Sequence, residues 1–149
     1  MDRPSEWAAP KEAAVIACAK RKRASPGRAI DLHDRSPFFR LSIAPARREE
    51  NPVLILSAKY GLVRAGHRLE PYELDLRRIA GAERAAWQTE ITREAQALIA
   101  GQHFHEVICF AAQDHRRVMQ FVCGPLGVRV STYPGWRRIC DEAFGDARA

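Results

Sequence analysis

Apolar residues recur along this chain in two rhythms. Three short runs are dominated by apolar residues: AAVIACA at 13–19, which is continuously apolar, PVLILSA at 52–58 and EVICFAA at 106–112. Each stops abruptly at polar residues, the pattern of a strand covered on both faces. A shorter run at 128–132 reads as a fourth strand. The second rhythm is helical. Over 83–100, Trp87, Ile91, Ala95, Leu98 and Ile99 recur on one face, and Gly101 is placed to end the helix. Ser36 and Pro37 form a helix start, with a hydroxyl to cap and a proline suited to the first turn, and Pro45 should end or kink that helix early. Asp114 reads as the cap of a short helix with Val118, Phe121 and Val122 facing inward, and 137–144 as a terminal helix. Residues 20–35 read as a polar loop. Residues 59–76 form a long connection, which in a compact domain is functional or carries a short element of its own.

The order strand, helix, strand, loop, helix, strand, helix, strand, helix predicts an α/β fold of three layers. A mostly parallel sheet of about four strands carries helices on both faces. The reading is a loose lead-in over 1–12 and one domain over 13–149, an ordinary size for a single core. In such open sheets ligands bind at the carboxyl ends of the strands. Lys22, Ser57, Lys59 and Gln113 all fall just there, far apart in sequence but converging on one edge.

Charge sharpens this picture. The net charge is +6, and the basic residues are twenty Arg and only four Lys. Guanidinium forks match phosphate and carboxylate, so an anionic partner such as a nucleotide or nucleic acid is one reading. A solvated scatter of arginines over the surface is the other. Cys18, Cys109, Cys123 and Cys140 form no C-x-x-C pair and have no histidine at ligand spacing. They read as reduced thiols in a cytoplasmic protein with no metal and no cofactor. The N-terminus lacks an apolar signal core, and no run is long enough to cross a membrane.

The segment richest in chemistry is Ser57-Ala58-Lys59-Tyr60-Gly61-Leu62-Val63, followed by Leu69-Glu70-Pro71-Tyr72-Glu73-Leu74. Ser57 can offer a hydroxyl and Lys59 a point charge, while Gly61 allows a turn that a side chain would block. Glu70, Tyr72 and Glu73 put two carboxylates and a phenol beside a stiff proline. Packing tyrosines and solvated glutamates would produce the same letters. The basic turn at 20–23 follows a buried strand and could hold phosphate, but it lacks the glycines of a P-loop. Trp136, after Pro134 and Gly135, could stack on a base or close the side of the core.

These motifs resemble those of a widespread bacterial and phage domain of unknown function. The likeness rests on 18–22 (C-[SA]-x-x-K), 32–39, the S-A-K-Y-G-L-V of 57–63, the E-P-Y-[DE]-L of 70–74 and a strand end at 111–115. Ala19 stands where that domain has Ser, His33 lies near its usual Tyr, Glu73 replaces Asp and His115 replaces Tyr. The core is similar, more distantly, to the peroxide-stress YaaA family, whose L-S-G-L-Y-G and P-Y-R-L-E-M segments parallel 56–61 and 71–75. That likeness implies DNA binding and protection under oxidative stress, although the chain has no room for that family's helical DNA-binding insert. A weaker likeness reaches domains attached to archaeal tRNA-modifying transglycosylases.

Two functions follow as expectations. One is a nucleotide- or nucleic-acid-directed domain acting on a glycosidic or base-linked bond. Here Lys22, Ser57, Lys59, Tyr60 and Gln113 would bind the ligand, and Glu70, Tyr72 and Glu73 would supply the chemistry. The other is a non-catalytic DNA-binding or stress-protection module in which the same basic edge grips phosphate. A closed pocket joining Glu70, Tyr72 and Lys59 favours the first, and an open basic face the second.

Overall fold

The computed structural model describes residues 11–17, 26–32, 36–48, 51–70, 79–102 and 104–148 of the chain. The first strand, β1 (Lys11–Ala17), is the middle of a five-stranded sheet. It pairs in parallel with β3 (Val53–Ser57) on one side and β6 (Phe104–Phe110) on the other, and β7 (Arg129–Thr132) extends the sheet beyond β6, also in parallel. The fifth strand, β4 (Gly61–Arg64), turns back antiparallel along β3. The order is β4-β3-β1-β6-β7.

The continuous apolar composition of β1 now has its cause. Successive side chains alternate faces, and both faces are covered. Ala13, Val15 and Ala17 enter one core with Ile91, Ala95 and Ile99 of α3 (Gly81–Ala100) and Val118 and Val122 of α4 (Gln113–Cys123). Ala14 and Ile16 enter the other with Ala29 and Ile30 of α1 (Ala29–Leu32), Phe39 and Ala46 of α2 (Pro37–Ala46) and Ile139 of α5 (Trp136–Arg148). The expected three-layer α/β architecture is therefore the observed one. One side-chain contact joins two helices within each of these helical layers. Gln96 Nε2 donates to the Val122 carbonyl at 3.2 Å, joining α3 to α4. Phe38 meets Trp136 edge to face at 4.5 Å, so this tryptophan closes the seam between α2 and α5.

Several local expectations hold and several shift. Ser36 caps α2, its hydroxyl accepting from the Phe39 amide at 3.4 Å, and the helix ends one residue past Pro45. The long connection carries elements of its own. One is β4; the other is β5 (Arg68–Leu69), which pairs antiparallel with β2 (Gly27–Arg28). The segment read as a polar loop over 20–35 thus contains β2 and α1, and Ala29 and Ile30 are buried.

The α4 stripe also differs from the expectation. Val118, Met119, Val122 and Cys123 face inward, while Phe121 is 54% exposed. The helix starts one turn-fraction earlier than assumed, at Ala112 as cap, and Asp114 lies inside its first turn without a capping bond. At 100° per residue the buried arc centres between Val118 and Cys123, which carries Phe121 out of it.

Candidate functional site

Parallel pairing brings the ends of β1, β3 and β6 to one edge. Ala17 is level with Leu56 and Ile16 with Phe110, so Ser57 and Ala111 each follow directly at that edge. Ser57 is fully buried. Its hydroxyl accepts from the backbone amides of Lys59 at 3.2 Å and Tyr60 at 3.1 Å, which closes a tight turn. Ser57 pairs with Gly61 across that turn, leaving Ala58, Lys59 and Tyr60 as the loop of a hairpin. Gly61 adopts φ 75, the left-handed conformation such short loops require after their turn. A Cβ there would stand 3.2 Å from Ile91 Cγ2, so the glycine also lets the hairpin settle onto α3. Trp87 of α3 fastens the same turn from outside, its indole N–H donating to the Ala58 carbonyl at 2.5 Å. The S-A-K-Y-G-L-V motif is therefore a clamped hairpin, and its serine is committed to the turn.

That clamp presents Lys59 outward. Lys59 is exposed, with Nζ 5.3 Å from the centre of the Tyr60 ring, a cation–π contact. Tyr60 is half-buried, and its hydroxyl donates to the Glu70 carbonyl at 3.3 Å. This bond places the backbone of Glu70, directly after β5, at the hairpin tip. The Glu70 side chain itself is exposed, and no described carboxylate forms an ion pair with Lys59. Among the described residues of the hairpin tip, Lys59 and Glu70 are exposed and Tyr60 is half-buried. Lys22, Tyr72 and Glu73 lie outside the described residues, as do Cys18, Ala19, His33 and His103.

Gln113 opens α4 at the same edge and is exposed. It heads a groove of about 310 Å³ that the sequence did not reveal. One wall is Gln113, Arg116, Arg117 and Gln120 of α4; the other is Val130, Ser131 and Thr132 of β7. Arg116 Nη1 donates to Thr132 Oγ1 at 2.7 Å across it. The signal was present as an i, i+3, i+4, i+7 polar set along one helix face. It became meaningful only once β7 was known to run beside that face.

Two of the described cysteines, Cys109 and Cys123, are buried in the core. Cys109, Cys123 and Cys140 are free thiols. Burial pushes Cys109 and Cys123 up to about 12 from an ordinary 9.0, with each other's proximity adding to the rise at Cys109. Such thiols are inert as nucleophiles near neutral pH. Among the described residues no three His, Cys, Asp or Glu side chains gather as a metal set, and no helix is long and apolar enough to cross a membrane.

No curated protein and no solved structure matches the chain. A family model does, over residues 13–132, from the first core residues of β1 to the end of β7. The matched span takes in every strand of the central sheet, the clamped hairpin and both walls of the groove, and on it the chain belongs to the family of unknown function DUF6884.

Proposed function

We propose that this domain binds a nucleotide or nucleic acid at the carboxyl edge of its parallel sheet. The observation that carries the reading is the clamped hairpin. Ser57, Gly61 and Trp87 fix a turn whose exposed product is one lysine beside one tyrosine ring, with no described carboxylate neutralising it. An ammonium next to an aromatic face suits a ligand that joins a phosphate to a base. The position agrees, because open α/β sheets take ligands at this edge. The distant likeness of the same segment to the YaaA family points to the same ligand class.

Of the two expectations, binding without bond cleavage fits the described geometry better. Glycosidic chemistry needs a carboxylate held against the sugar and away from bulk water, and Glu70 is exposed at the rim. Tyr72 and Glu73 are the residues from which bond-directed chemistry would have to come. Lys22, by its place after β1, would add a second cation to the edge.

The test is a thermal-shift screen with nucleosides, nucleotides and short DNA. A ligand at a hundred times its Kd stabilises by about 2.7 kcal/mol, which raises Tm by roughly 5–10 °C in a domain of this size. Nucleotides or DNA should produce such a rise and nucleosides a smaller one, with the rise shrinking as salt increases. Lys59→Ala should cut the rise without lowering the ligand-free Tm. No shift with any of the three classes refutes the proposal.

A further inference from the structure

The groove between α4 and β7 lies apart from the hairpin and has a chemistry of its own. We infer that it is a phosphate subsite, holding one or two phosphate groups of a ligand that enters at the carboxyl edge. The inference rests on the proposed nucleotide reading only for what carries the phosphate.

Its lining is the first argument. Six of its seven residues offer a polar side chain, two of these are guanidinium groups, and none is a carboxylate. Acidic residues are available nearby, since Asp114 stands in the first turn of the same helix, but that side chain is not in the wall. Arg117, Gln113 and Gln120 are exposed and can turn toward a ligand without leaving a core.

Preorganisation is the second. Arg116 is half-buried and held across the groove by Thr132 at 2.7 Å. One guanidinium nitrogen is thereby fixed, and the planar fork keeps its remaining N–H groups in a set orientation. Binding then orders fewer rotamers, which is where recognition sites gain affinity. The Thr132 hydroxyl, having accepted this bond, still has a proton to donate.

Dimensions are the third. A volume of about 310 Å³ admits a phosphate with part of its sugar. From Gln113 to Gln120 the helix rises roughly 10 Å. The groove therefore starts beside the sheet edge and runs down the flank of β7, the outermost strand. A groove of that course can follow a chain of phosphates as well as receive the tail of a single nucleotide.

The experiment is fluorescence anisotropy with a labelled twelve-nucleotide single strand over a salt series, using Arg117→Ala and Gln120→Glu. Both positions are exposed on α4, so both variants should fold like the parent by circular dichroism. Arg117→Ala should flatten the slope of log K against log salt by about 0.7, the value for one phosphate contact on a single strand. Gln120→Glu should weaken binding about five-fold through charge repulsion. Competition by a mononucleotide that shows the same sensitivity assigns the phosphate to a nucleotide; sensitivity confined to the strand assigns it to a nucleic-acid backbone. Both results support the subsite.

Strand binding by the parent that both variants leave unchanged overturns the groove while leaving the hairpin reading intact. Displacement by polyglutamate as readily as by nucleotide also overturns it, because a carboxylate would then serve equally. If the parent binds neither strand nor nucleotide, inorganic phosphate is titrated by ³¹P line width. Broadening lost in Arg117→Ala keeps the subsite and sinks the nucleotide reading; no broadening overturns both.

Discussion

Gly61 is where strain and packing can be separated by measurement. Its φ of 75 lies in the left-handed region, and an added Cβ would meet Ile91 Cγ2 at 3.2 Å and Cβ at 3.4 Å. An L-residue held left-handed costs about 1–2 kcal/mol. Ile91 is buried in the core between the sheet and α3 and has little room to withdraw, so crowding adds about 1–3 kcal/mol. Gly61→Ala should therefore lose roughly 2–5 kcal/mol. Two other glycines supply controls. Gly127 has φ 69 but open space around its would-be Cβ, so Gly127→Ala should lose only the strain, about 1–2 kcal/mol. Gly66 has neither positive φ nor a neighbour within 4 Å, and Gly66→Ala should be neutral or gain up to about 1 kcal/mol from a stiffer unfolded chain. Urea denaturation of the three variants, with the slope m unchanged from the parent, gives the ranking directly. Gly61→Ala no worse than Gly127→Ala would refute the seating of the hairpin on α3.

Further outcomes follow from the turn and the core. Trp87→Phe keeps the ring but removes the indole donor to the Ala58 carbonyl, and should lose about 1–2 kcal/mol by urea denaturation. It should also weaken any ligand that depends on Lys59, which a purely structural tryptophan elsewhere would not. Cys109 and Cys123 hold their protons more tightly folded than unfolded, so their contribution to stability is complete below pH 9 and is lost as pH rises toward 12. The loss runs at about 1.4 kcal/mol per pH unit for each thiol. Urea titrations at pH 8 to 11 should show a shallower decline in Cys109→Ala/Cys123→Ala than in the parent, and equal slopes would contradict the buried-thiol account. Native protein at pH 7.5 should leave both thiols unmodified by a thiol-specific chromogen while the urea-unfolded chain reacts fully.

The fold was largely legible because the central stretches of β1, β3 and β6 are covered on both faces, and a run dominated by apolar residues suits that position. β4 was hidden for the opposite reason. Gly61-Leu62-Val63-Arg64 is a short edge strand behind a tight loop, and the glycine that marks the hairpin reads as a simple loop residue until Ser57 is seen holding the turn. At the candidate site, the convergence of Ser57, Lys59 and Gln113 on one edge followed from strand order alone. The division of labour within the motif did not. Whether a serine hydroxyl faces a ligand or accepts two amides two and three residues on depends on backbone angles, and the letters alone do not carry them. The α4 groove was illegible because its two walls are formed by separate elements, a helix face and the strand that passes beside it. The outward turn of Phe121 reflects a buried arc shifted by one residue, a displacement that a periodicity of 3.6 tolerates without changing the pattern visibly.

The central claim is that ligand binding belongs to the carboxyl edge of the sheet, and a ¹⁵N–¹H titration with a short single-stranded oligonucleotide tests it most directly. Amide shifts should concentrate at Lys59, Tyr60 and Gly61 of the hairpin and at Gln113, Arg116 and Thr132 around the groove. Asn51 and His105, at the amino ends of β3 and β6, should stay still. Shifts gathered at those amino ends or along α5, or a spectrum left unchanged at saturating oligonucleotide, would contradict the account.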